Sequence, residues 1–227
     1  MAEFDTYVEN YDEALAKGLA ISGEDKDYFA RSRIAWLSKR LNELHITPKL
    51  VMEFGCGTGS SSTLLLDLLK AESCLGIDQA AKLLEKARQA YGSERSNFML
   101  PGQYSPCEET DLVFSNGVFH HISIGERAAA VDYIYRALRP GGLLVLWENN
   151  PWNPGARYVM RRIPFDRDAI ALNPPETRRL LRARGFEILC TDFLFIFPKI
   201  LRWLRWIEPY VARLPFGAQY MVLGRKC

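Results

Sequence analysis

The stretch Lys49-Leu50-Val51-Met52-Glu53-Phe54-Gly55-Cys56-Gly57-Thr58-Gly59-Ser60 decides the fold. An apolar run ends in an acid, three alternating glycines follow, and a new apolar-rich segment begins. This order reads as a buried strand, a turn nearly free of side chains, and the start of a helix. Glycines there permit positive φ and let a ligand approach the backbone. Such a turn lies at the carboxyl edge of a parallel sheet, where open α/β folds bind their ligands.

Working outward, strands and helices alternate. Residues 50–54 read as a strand and 61–69 as a helix, with serines in its first turn placed to cap free amides. Residues 74–78 form a short buried strand ending in Asp78, 80–90 a helix, 97–100 a third strand and 112–115 a fourth. A helix over 127–138 stops at Arg139-Pro140-Gly141-Gly142, and 143–147 is a fifth strand. This alternation predicts a parallel sheet covered on both faces. Beyond Glu148, residues 149–155 read as a turn-rich loop and 156–173 as basic and irregular. A helix over 177–184 and a strand over 186–195 come next, then a detour over 198–217 and a last strand over 219–223. Before the first strand, Tyr7, Tyr11, Leu15 and Leu19 recur every four residues, and an amphipathic helix runs over 27–44.

The 227 residues fit one α/β domain, read as a helical N-terminal lid (1–45), a ligand-binding core (46–150) and substrate-side elaborations (151–227). No apolar run approaches the length of a membrane span. The first thirty residues lack a basic-then-apolar signal pattern, so the chain is expected to be cytoplasmic. Five scattered cysteines without a C-x-x-C pair point to free thiols in a reducing compartment, and no metal site is expected. The formal charge of +2 hides an asymmetry: −6 over residues 1–30, balance over 31–150, and +8 over 151–227. The basic third fits an anionic substrate group or surface, or simply a solvated arginine-rich exterior.

Spacing separates two nucleotide classes. Dinucleotide sites use G-x-G-x-x-G with a helix N-terminus on a pyrophosphate. Here the pattern is E-x-G-x-G-x-G, and Glu53 would repel a pyrophosphate but suit a cationic ligand. Asp78 is placed to accept hydrogen bonds from both hydroxyls of a ribose, although it also fits a helix cap. The implied ligand is a nucleoside with a positively charged, non-phosphorylated tail.

With these motifs in view, the chain resembles the class I S-adenosylmethionine-dependent methyltransferases of small-molecule type. The resemblance rests on residues 51–59, on Gly76-Ile77-Asp78, on residues 111–122 (DLVFSNGVFHHI) and on residues 139–146 (RPGGLLVL), in that order. It implies a Rossmann-like doubly wound α/β sheet, mostly parallel with an antiparallel last strand. It also implies S-adenosyl-L-methionine as donor and S-adenosyl-L-homocysteine as product. Gly55, Gly57 and Gly59 would wrap the methionine and ribose, with Glu53 ordering that end. Asp78 would hold the ribose and Gln79 border the adenine. Gln103 would replace the usual adenine-binding acid, and Asn116 and Gly117 would line the sulfonium.

Methyl transfer is an in-line displacement that depends mainly on positioning, and a hydroxyl acceptor also needs a base. His121, after the fourth strand, is the candidate base, with a local packing role as the equal alternative; Glu148 is a weaker one. Tyr11, Trp152, Arg157 and Arg161 are candidates for holding an anionic or lipophilic acceptor. Over 199–208 the charges recur every three residues, while Ile200, Trp203, Leu204 and Ile207 oppose them with Trp206 at the edge. That pattern fits a weak membrane-surface contact, a cover for a lipophilic acceptor or, as preferred here, a helix packed on the sheet edge. The expected activity is methylation of a small-molecule oxygen in a secondary metabolite, glycan or lipid-linked intermediate. The competing class is a non-catalytic nucleoside-binding protein. No N-P-P-Y tetrapeptide speaks for a nucleic-acid substrate; Asn173-Pro174-Pro175-Glu176 reads as a helix start.

Overall fold

The computed structural model describes residues 16–167 and 169–227. Tyr7, Tyr11 and the first fifteen residues of the expected lid lie outside the described residues. Among those described, seven strands form one sheet: β1 (Leu50–Phe54), β2 (Ser73–Ile77), β3 (Ser96–Met99), β4 (Thr110–Asn116), β5 (Leu138–Asn149), β6 (Phe186–Leu194) and β7 (Gln219–Lys226). Their order is β3-β2-β1-β4-β5-β7-β6. The first five pair in parallel and β7 runs antiparallel to both neighbours, as expected for a last strand closing a doubly wound sheet. The order reverses between β1 and β4, so a crevice opens at their carboxyl ends, where open α/β sheets bind ligands.

The helices are α1 (Lys26–Glu43), α2 (Ser62–Leu69), α3 (Ala81–Tyr91), α4 (Arg127–Ala137), α5 (Pro154–Arg162), α6 (Pro174–Arg182) and α7 (Glu208–Val211). Alternation along the strands divides the core between the two faces. Val51, Leu112, Phe114, Val145 and Trp147 pack with Ile34, Leu37 and Leu41 of α1 and Leu65 of α2. Met52, Val113, Leu144 and Leu146 pack with Val131 and Ile134 of α4 and Leu181 of α6. Strands buried on both faces read as continuous apolar runs, which explains why β1 and β5 stood out in the sequence.

Three local expectations are corrected. The basic stretch after residue 153 is not irregular: Asn153 Oδ1 accepts the Ala156 amide at 2.9 Å, Pro154 occupies the first turn, and α5 follows. Side-chain capping does not start α2, because the Ser61 side chain makes no cap bond there and Ser62 Oγ instead donates to the Gly59 carbonyl at 2.7 Å. The Arg139–Gly142 breakers do not lie outside β5. They form a bulge between the pairs Thr110–Leu138 and Leu112–Leu143, with Gly141 at φ 75°.

Helix α1 is firmly seated. It is capped by Asp25, whose Oδ1 accepts the Tyr28 amide at 2.8 Å. Far along the chain, the fully buried Asp192 of β6 accepts from Trp36 Nε1 at 2.9 Å and from Arg40 Nε and Nη2 at 2.7 and 3.0 Å. A bidentate pair reinforced by an indole is strong and directional. It fixes α1 across the sheet edge and makes its first two turns a wall of the crevice.

Candidate active site

The glycine turn leaves β1 at the switch point. Gly55, Gly57 and Gly59 all have positive φ, at 76°, 53° and 73°, a region L side chains rarely adopt. Their surroundings separate their roles. A Cβ on Gly59 would meet the Phe98 ring at 2.7 Å and Ala87 at 3.0 Å, so this glycine serves the packing of the turn against α3 and β3. A Cβ on Gly57 would meet nothing within 4 Å. Gly57 lines a cavity of about 640 Å³, within the usual range for ligand pockets.

Asp78 follows β2 beside that turn. Its Oδ2 accepts the Gly57 amide and its Oδ1 the Ala80 amide, both at 2.8 Å. It therefore braces the turn and caps the approach to α3, and a carboxylate has further lone pairs for ribose hydroxyls. Glu53 is buried, and its Oε2 has no hydrogen-bond partner. Burial pushes its carboxyl up to about 8; nearby Asp78 adds to this, while Ser61 and Arg33 oppose it. A buried acid left incompletely satisfied is costly unless a cation joins it. Glu53 and Gly59, both expected at the donor, do not themselves line the cavity. The unpaired Glu53 oxygen beside the turn, the open side of Gly57 and the carboxylate of Asp78 are compatible in chemistry with a nucleoside that carries a cationic amino-acid tail, as S-adenosylmethionine does.

The cavity wall contains Gly55, Gly57, Asp78, Gln79, Asn116, Gly117 and His121. The structure does not bring in Gln103, whose side chain is turned back so that Oε1 accepts its own Leu100 amide at 3.0 Å. Nor does it bring in Trp152, Arg157 or Arg161. Helical periodicity turns Val159 and Ile163 toward the cavity and leaves both arginines exposed, and Trp152 is 52% exposed. Cationic residues in the wall come instead from α1, as Lys26 and Arg33; Arg33 Nη1 donates to Gln219 Oε1 at 3.0 Å.

The same cavity wall includes a cluster around the two adjacent histidines. His120 is 3% exposed, with Nδ1 2.5 Å from Glu148 Oε2 and Nε2 3.4 Å from Asp166 Oδ1. Burial alone would hold this ring neutral, but the carboxylates of Glu148 and Asp166 outweigh it and push its pKa up to about 10. Glu148 Oε1 also accepts the Phe119 amide at 2.8 Å. Both of its oxygens are thus engaged in holding the turn after β4, a positioning role and not that of a base. His121 lies in the wall with Nε2 3.2 Å from Asp166 Oδ1. Burial raises the pKa of Asp166, yet bonds to His120 and His121 more than reverse this and hold it below the ordinary carboxylate value. Asp166 is therefore an ionised acid orienting His121. His120, His121 and Asp166 place ligand atoms within 4.8 Å of one another, a geometry open to a cation, but the proton on His120 already balances part of that charge.

Asp166 escaped the sequence reading. It lies 45 residues beyond His121, and only the adjoining Pro164-Phe165 marks its neighbourhood as buried. Phe29 and Arg33 were likewise read as one amphipathic helix with no indication that its first turns face the ligand.

Comparisons with known proteins bear on the family and the fold. A family described as a methyltransferase domain matches residues 52–144. The trans-aconitate 2-methyltransferase of Azoarcus sp. (strain BH72) is 29% identical over 114 residues, covering 50% of this chain and 44% of that protein. An uncharacterized methyltransferase of Geobacillus thermodenitrificans is 28% identical over 194 residues, covering 83% and 77%. This chain thus spans less than half the length of the first of these relatives. The fold is similar to that of magnesium protoporphyrin IX methyltransferase from Synechocystis PCC 6803 with bound SAH (TM-score 0.62, 18% identity, 93% of this chain and 86% of that one). Motifs, sheet order and relatives converge: residues 52–144 match a methyltransferase domain, and the chain is similar in sequence and fold to S-adenosylmethionine-dependent methyltransferases of class I.

Proposed function

We propose that the protein methylates an oxygen of a small acceptor whose body is apolar and which carries an anionic group. One observation carries this reading: a single cavity joins the glycine turn and Asp78 to the His121–Asp166 pair. When bound, S-adenosylmethionine supplies an electrophilic methyl group on a positively charged sulfur. The chain's own residues then have three tasks. Gly55, Gly57, Asp78 and Glu53 fix the donor end, so that its orientation is set before the acceptor arrives. Leu19, Phe29, Ile122, Val159, Ile163 and Phe165 form apolar wall around the remaining space, which excludes water and favours an apolar acceptor body.

The third task is proton removal. An oxygen acceptor bearing a proton must lose it as the new bond forms. With the His121 Nε2–H donated to Asp166, the lone pair resides on Nδ1, and the imidazole takes the acceptor's proton there while Asp166 stabilises the resulting charge. A carboxylate acceptor would need no base, and then His121 only orients it. Lys26 and Arg33 in the wall favour an anionic group on the acceptor, in keeping with the relatedness to trans-aconitate methyltransferases.

The test is a single-turnover reaction with methyl-labelled donor and a panel of hydroxylated and carboxylated acceptors of graded apolar length. Label transferred to an ester or ether supports the proposal. Donor binding with no transfer to any acceptor would leave only a nucleoside-binding protein.

A further inference from the structure

The segment between β6 and β7 holds large apolar side chains in water. Ile200 is 85% exposed, Trp203 67%, Trp206 69%, Tyr210 82% and Phe216 61%. This overturns the expectation of a helix packed on the sheet edge, and the physical reason is its period. Residues Lys199–Ile207 form 3₁₀ turns, with Leu201 bent out of helical geometry at φ −105°, ψ 22°. Side chains three apart then eclipse. Trp203 and Trp206 form one exposed ridge, and Leu204 and Ile207 face inward, half-buried.

This exposure is not a lack of anchorage. Arg205 Nη1 pairs with Glu24 Oε1 at 2.9 Å, its Nε donates to the Phe197 carbonyl at 3.1 Å, and its guanidinium lies over Tyr28 at 4.7 Å. Glu208 Oε1 accepts the Phe197 amide at 3.0 Å. The ridge is presented by a braced scaffold. Its anchors Glu24 and Tyr28 adjoin in sequence the wall residues Lys26 and Phe29, so the scaffold that presents the ridge is tied to the segment that walls the cavity. Lys199, Arg202 and Arg213 are exposed in the same segment, whose one acid, Glu208, is bonded inward.

We propose that this face docks the protein on an anionic lipid surface, with the tryptophans at headgroup depth and the basic side chains on the headgroups. Indole and phenol rings favour the membrane interface, where one edge is apolar and the other wet. Arginine and lysine add attraction to anionic headgroups. The contact is interfacial, since among the described residues no helix is long and apolar enough to cross a membrane. A corollary, that an apolar acceptor enters the cavity from that surface, rests on the methyl-transfer reading; the docking itself does not.

The experiment is co-sedimentation of the full chain with phosphatidylglycerol–phosphatidylcholine vesicles and with pure phosphatidylcholine vesicles, alongside tryptophan emission. Binding to the anionic vesicles with a blue shift is expected, weakening as salt is added. Trp203→Ser/Trp206→Ser should weaken it roughly tenfold or more, and Arg202→Gln roughly fivefold. S-adenosylhomocysteine binding by each variant, measured separately, reports that it is folded and keeps vesicle docking distinct from the donor site. Wild-type protein that ignores anionic vesicles overturns the proposal, as does a double variant that binds them equally well. Concentration-dependent dimers lost in the double variant, without vesicle binding, would assign the face to a second copy of the chain instead.

Discussion

Replacing Glu53 with glutamine should stabilise the empty protein and weaken its hold on the donor, and both effects should depend on pH. In the folded chain burial raises this carboxyl from 4.5 to about 8. Between those values the folded state holds a proton that the unfolded state has lost, so stability is fully present below pH 4.5 and declines as pH rises toward 8. Each pH unit in that window costs roughly 1.4 kcal/mol. From pH 5 to pH 8 the penalty reaches about 4 kcal/mol at most, worth roughly 10 °C in melting temperature for a chain of this size. Glutamine carries no such penalty. Glu53→Gln and wild type should therefore melt close together at pH 5 and draw apart by pH 8, with the variant higher; thermal denaturation followed by circular dichroism reads this directly. A cationic ligand lowers the same pKa, so donor binding to wild type near pH 7 should release a proton, visible as a dependence of calorimetric heat on the buffer's ionisation enthalpy. The variant should release none through this group and bind on the order of tenfold more weakly, as expected for loss of a charged hydrogen bond. Parallel melting across the pH range, together with unchanged donor affinity, would refute the placing of a raised carboxyl at the donor's cationic end.

Other predictions are narrower. His121→Ala should lower turnover by roughly a hundredfold or more with an alcohol acceptor, while leaving donor affinity within about threefold; equal turnover removes it as the base. Asp166→Asn should reduce turnover less, and should lower the His120 pKa seen by NMR, because one of its two carboxylate partners becomes neutral. Asp192→Ala should cost about 3 kcal/mol in chemical denaturation, since it leaves Arg40 and the Trp36 N–H without their buried acceptor. Gly59→Ala should lower stability without adding bulk to the cavity, as its Cβ strikes Phe98 and must hold positive φ.

How much of this was legible follows from where each signal resides. The switch-point turn, Glu53 and Asp78 announce themselves locally, because strand, glycines and terminal acid are contiguous in sequence. The parallel sheet followed from the apolar runs, and only strand ends moved, by one to three residues except at β5, which begins five residues earlier because the Arg139–Gly142 bulge lies within it. The site's far side was hidden because Asp166 reaches His120 and His121 only through the path of α5, in a stretch that reads as basic and irregular. The arginines of α5 were misplaced for a related reason. Composition shows that they are present, but only the helix phase, set by the Asn153 cap, decides that Val159 and Ile163 face the cavity. In 199–207, apolar positions fit a period of 3.6 or of 3.0. The charges recurring every three residues were the trace of the 3₁₀ geometry, and the 3.6-residue reading merged two ridges into one.

The central claim is that the turn at Gly55–Gly59 with Asp78 holds S-adenosylmethionine. Calorimetric titration of wild type, Asp78→Ala and Asp78→Asn with S-adenosylhomocysteine tests it most directly, with NADH as the competing nucleotide. The account predicts one site in wild type, a loss of roughly tenfold or more in both variants, and no NADH binding. Equal affinity in all three proteins, or preference for NADH, would contradict it.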